Sequence, residues 1–177
     1  VVLGCDNDEA DSGTNFWQQL ADVDLGSDGT ILSSGSFTSK KYLMVSIHAI
    51  ASGGMDSRLY FNSDGGSGGS SNYAWRMSKN GASDSTTAST YGINTEEGAW
   101  NNAYYNFFII NKSDKEKLVV GDVVHDSDTS GAGTAATRNE VTGKWITTGS
   151  QINTVAIKNI DSGNYASGSR ITVWGAD

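Results

Sequence analysis

The stretch Tyr42-Leu43-Met44-Val45-Ser46-Ile47-His48-Ala49-Ile50-Ala51 sets the fold class. Leu43, Val45, Ile47 and Ala49 recur with period two, so an extended chain carries all four on one face. The same alternation returns in Tyr73, Trp75 and Met77, and again in Val141, Gly143 and Trp145. Arg76, Ser78, Glu140, Thr142 and Lys144 fall between them and are expected to face water. Trp17, Trp75 and Trp145 are expected on core-facing strand positions. No window of about eleven residues carries a convincing helical period of 3.6.

Working outward, short apolar runs follow one another from Phe16: residues 16–25, 30–33, 42–51, 57–62, 73–78, 104–111, 117–125, 140–146, 152–160 and 170–174. Clusters of Gly, Asn, Asp and Ser separate them, among them Gly26-Ser27-Asp28-Gly29, Asn80-Gly81 and Asp161 to Gly168. The chain lacks proline, so glycine, with 22 residues, carries most of the turning. Tyr104 to Ile110 and Leu118 to Val124 are apolar on both faces, as expected of central strands or of strands covered by a partner subunit. The segment from Asn80 to Asn101 is expected to hold a turn of helix or an extended excursion. These signals predict an all-β protein, an antiparallel, jelly-roll-like β-sandwich of about eight to ten strands. Residues 1–15, with Asp6, Asp8, Glu9 and Asp11, read as a flexible acidic arm, and residues 16–177 as a single sandwich domain.

Composition narrows the function. A length of 177 residues suits one domain, and 37 % hydrophobic against 18 % charged residues is too apolar for a disordered chain. Twenty acidic residues against twelve Lys and Arg give a net charge of −8, which argues against a nucleic-acid partner. No apolar stretch is long enough to read as a membrane span. Cys5 is the only cysteine, so no internal disulfide can form.

Few motifs carry chemistry. Gly65-Gly66-Ser67-Gly68-Gly69 fits the spacing of a nucleophile elbow, but it lies between two predicted strands and reads as a hairpin loop. His48 and His125 have no second histidine at zinc-ligand spacing, and His48 reads as a packed or interface imidazole. Asp122, Asp126 and Asp128 surround His125 in sequence and form a candidate calcium site, with a solvated acidic turn as the plainer reading. Asn111-Lys112-Ser113 fits a glycosylation sequon. No pair of carboxylates stands at a spacing that singles it out, so neither an enzyme nor a cofactor is expected. Tyr91, Trp100, Tyr104 and Tyr105, with Asn101 and Asn102 beside them, suit a sugar-stacking platform or a subunit interface; a loop folded onto its own sandwich would use the same residues.

A family resemblance rests on three segments in order. They are Leu59-Tyr60-Phe61-Asn62-Ser63-Asp64 with Asn72-Tyr73-Ala74-Trp75-Arg76, then Glu140-Val141-Thr142-Gly143-Lys144-Trp145, then Tyr165-Ala166-Ser167-Gly168-Ser169-Arg170-Ile171-Thr172-Val173-Trp174-Gly175. Together they resemble jelly-roll modules of bacteriophage tail fibres, head fibres and capsid decoration proteins. The resemblance implies a non-enzymatic component of the virion surface, with other capsid or tail proteins as partners, and carries over no functional residue. The two-sided apolar strands suit a symmetric homo-oligomer, expected as a trimer, and the arm is expected to add a strand to a neighbour or to thread beneath it. A carbohydrate-binding β-sandwich is the alternative function.

Overall fold

Strand alternation dictates which side chains meet, and the computed structural model, which describes residues 16–65, 69–126 and 131–177, follows it closely. Among these residues the chain forms β1 (Gln18–Asp24), β2 (Ile31–Ser33), β3 (Tyr42–Ser52), β4 (Gly54–Phe61), β5 (Tyr73–Lys79), β6 (Ser85–Thr90) and β7 (Ile93–Ala99). It continues through β8 (Asn102–Ile110), β9 (Lys117–His125), β10 (Thr137–Trp145), β11 (Val155–Asn159), β12 (Asn164–Tyr165) and β13 (Arg170–Ala176). The larger sheet runs β1-β13-β3-β8-β9-β10-β5-β6, with β12 paired to the end of β3. A smaller sheet runs β2-β11-β4-β7. Every pairing is antiparallel, and the two sheets pack as a β-sandwich.

The core lies between the sheets. Leu43, Val45, Ile47 and Ala49 of β3 are fully buried, as their alternation requires, and meet Leu59, Phe61, Val155 and Ile157 from the smaller sheet. Apart from Ala49, each such side chain contributes about 1.5–3 kcal/mol on removal from water. Trp145 stacks on Tyr73 within this core, and Trp75 packs against its margin. Close approach of the sheets depends on Gly143 of β10, where an added Cβ would sit 2.6 Å from Ile93 Cδ1 on β7.

The count of thirteen strands exceeds the expected eight to ten, and the excess lies in β6, β7 and β12. The segment Asn80 to Asn101 holds no helix; it supplies an edge strand to each sheet. Asn80 (φ 53°) and Gly81 (φ 76°) both take left-handed backbone, and the Ala82 N–H donates to the Lys79 carbonyl at 2.9 Å. That two-residue turn matches the twist of a β-hairpin and starts β6. The Asn80 side chain ties the turn to β10 by accepting from the Arg138 N–H at 2.9 Å.

Candidate functional site

The outer face of the larger sheet is where exposure and chemistry depart from what a solvated surface needs. Antiparallel register aligns its outward side chains in rows across β13, β3, β8, β9 and β10. One row is Trp174, Met44, Phe108, Val120 and Thr142; the next is Tyr42, Ile110, Leu118 and Lys144. Val120 is 55 % exposed and Leu118 51 %, and Tyr42, Phe108 and Ile110 are also open to solvent. The result is a contiguous apolar band in mid-sheet, where an isolated sandwich would place polar groups. Phe16 and Trp17 lie over one side of it and close a groove of about 330 Å³ with Tyr42, Phe108, Leu118 and Val120.

Polar rows follow along the strands. Thr172, Ser46, Asn106, Asp122 and Glu140 form the first, and Arg170, His48, Tyr104, Val124 and Arg138 the second. The Ser46 hydroxyl donates to the Tyr104 hydroxyl at 3.0 Å, and His48 Nε2 lies 2.7 Å from Asn102 Oδ1. Asp122 and Glu140 stand directly opposite each other on β9 and β10, an unfavourable pairing of like charges that Arg138, 3.4 Å from Glu140, relieves in part.

The expected aromatic platform does not form. Tyr104 lies on the outer face, but its neighbour Tyr105 alternates inward and is fully buried. Trp100 is 2 % exposed and packs edge-on against Tyr105 in the core. Tyr91 is exposed but follows the edge strand β6, several strands away from β8 in the sheet order. Alternation along β8 sends Tyr104 and Tyr105 to opposite sides of the sheet, while Tyr91 and Trp100 lie outside the strands, one in an exposed turn and one in a buried link. Trp17 is also displaced from its expected core position: β1 begins at Gln18 on the sheet edge, and Phe16 and Trp17 lie over the outer face. His48 is exposed there instead of packed.

Asp122 and Asp126 are not gathered around a cation site. Asp122 points outward from β9, whereas Asp126 Oδ1 accepts from the Asn101 N–H at 2.9 Å, and Asp128 lies outside the described residues. No group of three or more His, Cys, Asp or Glu fit to hold a metal occurs among the described residues. The sequon asparagine, Asn111, is fully buried. Residues 1–15 and the centre of the Gly65–Gly69 tract fall outside the described residues.

His125 faces inward, toward a buried acid that sequence reading missed. Glu96 of β7 accepts from Trp100 Nε1, and its Oε2 lies 3.8 Å from His125 Nε2. Burial pushes the Glu96 carboxyl up to about 8, against the pull of the Trp100 hydrogen bond and the Lys79 ammonium. Burial, helped by Lys79, lowers His125. Such perturbed groups often mark active sites, but Glu96 and His125 are sealed between the sheets and can serve the interior alone.

The sandwich with an apolar outer face defines the class. No protein-family model, curated protein or solved structure matches this chain.

Proposed function

We propose that the chain is a non-enzymatic structural protein of a virus particle, decorating a capsid or forming part of a head or tail fibre, and that it works through subunit–subunit contacts. The observation that carries this reading is the apolar band of Phe108, Ile110, Leu118 and Val120 on the central strands of the larger sheet. Monomeric surfaces rarely keep so continuous a patch in mid-sheet, and interfaces have an apolar centre ringed by polar residues, as here. The resemblance of three segments to phage jelly-roll modules supports the virion setting, and an all-β sandwich is the fold such modules use.

Light scattering on the purified chain at two concentrations tests the reading. A closed homo-oligomer at both is expected. A monomer at both overturns a function that rests on subunit contacts.

A further inference from the structure

We infer that the outer face of the larger sheet is a self-complementary interface, occupied by the same face of a second copy related by a two-fold axis that crosses the strands within the apolar band. The inference rests on the subunit-contact reading and adds to it the partner, the symmetry and the charges that fix the register.

The argument starts from what flanks the band. At one end lies the Asp122–Glu140 pair, two carboxylates side by side. Toward the other end, Lys112 follows two residues after Ile110 and is exposed. Lys115 and Lys144 lie at that end too, held by Asp114 at 3.1 Å and by Glu116 at 3.0 Å. The band thus separates an acidic end from an end where Lys112 offers an exposed cation. A two-fold axis running across the strands between the Phe108 and Ile110 rows inverts that order in the second copy. It lays apolar rows on apolar rows and swings each copy's Asp122–Glu140 pair toward the other's Lys112 end. An axis along the strands would instead fold the row of Thr172, Ser46, Asn106, Asp122 and Glu140 onto itself, leaving the two acids against uncharged Thr172 and Ser46 with no cation opposite. Interfaces place opposite charges together and like charges apart, so the first arrangement is selected.

The size also fits. Eight strands about 4.8 Å apart and six to eleven residues long, at about 3.4 Å per residue, give a face on the order of 1000 Å². A stable interface uses roughly 800 Å² per partner. The chain's net charge of −8 disfavours association of two copies in general. An interface that shields its two adjacent acids with the partner's lysine overcomes that repulsion locally.

Sedimentation velocity on the full chain separates the parts of this inference. The wild type is expected as a dimer. Leu118→Glu should give a folded monomer, with Val120→Lys as a second variant at the same face and circular dichroism as the check on folding. Asp122→Lys and Lys112→Glu should each weaken the dimer about tenfold, and the double variant should recover most of that loss. An oligomer that neither Leu118→Glu nor Val120→Lys dissociates overturns the use of this face and moves the subunit contacts to another surface, whereas a wild-type monomer overturns this inference and the subunit-contact reading together. A trimer, or a dimer broken by Leu118→Glu but without recovery in the charge-swapped double variant, overturns the two-fold arrangement and leaves the face as a subunit contact.

Discussion

Glu96 Oε2 and His125 Nε2 stand 3.8 Å apart in the interior, the acid contributed by the smaller sheet and the imidazole by the larger. Trp100, in the link from β7 to β8, holds the acid through its indole N–H and packs against the His125 ring. The link between the sheets is therefore polar at this point, and both members are pushed toward their neutral forms by burial.

The pH dependence of stability follows. The Glu96 carboxyl rises from an ordinary 4.5 to about 8 on folding, so its contribution is complete below about 4.5 and is lost as pH climbs through 8. His125 has the opposite sign: its lowered value makes stability fall as pH drops below the usual imidazole range. Above about pH 7.5 the imidazole is neutral in both states and the carboxyl sets the slope; between about 6.5 and 7.5 the last of the unfolded-state imidazole titration offsets a small part of it. Urea denaturation should therefore show on the order of 1 kcal/mol lost between pH 6.5 and 8. Glu96→Gln, which keeps an oxygen for Trp100, should remove that slope; an unchanged slope would place the titration elsewhere.

Ser57 is the second polar hub of the interior. Its hydroxyl oxygen accepts from Tyr165 at 2.9 Å and from Tyr105 at 3.3 Å, and its carbonyl accepts from the Thr95 hydroxyl at 2.8 Å. Ser57→Ala strands two buried tyrosine hydroxyls and should cost about 2–3 kcal/mol. Tyr165→Phe should cost markedly less in the Ser57→Ala background than in the wild type, because the partner is already gone. Additive costs in a double-mutant cycle would show that the hydroxyls find other acceptors.

The legible part of this fold is the part in which burial and alternation coincide. β3, β8, β9, β10 and β13 each alternate cleanly, and β9 occupies the predicted residues 117–125. β6 escaped because Ser85-Thr86-Thr87-Ala88-Ser89-Thr90 has no apolar side to reveal it; pairing with β5 holds it, and most of it is exposed. β7 escaped for a different reason. It carries Glu96, which composition assigns to a surface, and a bulge opposite Ser57 and Arg58 breaks its period at Thr95. For the site, two-sided apolarity in β8 and β9 matches their central place in the larger sheet, whereas Tyr104, Tyr105 and Trp100 are neighbours in sequence but not on one face: alternation along β8 turns Tyr105 inward, and Trp100 is buried in the link before it.

Gly143 offers a test of how closely the sheets are set. A methyl group there would press on the whole Ile93 side chain, at 2.6 Å from Cδ1 and 2.8 Å from Cγ1. Gly143→Ala should lower stability by about 1–3 kcal/mol through overpacking. Ile93→Val removes the Cδ1 methyl and should recover part of the loss in the double variant, although alone it costs about 0.5–1.5 kcal/mol. Equal thermal denaturation of Gly143→Ala and wild type would mean that the sheets yield without strain.

Asn111 joins three segments at one end of the sandwich. Its Nδ2 donates to the Lys40 carbonyl at 2.9 Å and to the Ile152 carbonyl at 3.0 Å, and its Oδ1 accepts from the Ile152 N–H at 2.6 Å. The backbone carbonyl of Asn111 also accepts from Gln151 Nε2 at 2.8 Å. Asn111→Ala leaves two buried carbonyls and an N–H without these partners, and should cost about 2–4 kcal/mol in urea unfolding. Asn111→Asp should cost at least as much at pH 7, because a carboxylate faces both carbonyls where the amide donated. The same burial is incompatible with a glycan on the folded chain: the Asn111 amide is enclosed and committed to the Lys40 and Ile152 backbone, and a sugar on its nitrogen would break that clasp. Expression in a glycosylating host followed by peptide mapping should find Asn111 unmodified; a glycan on folded, stable protein would contradict the buried clasp.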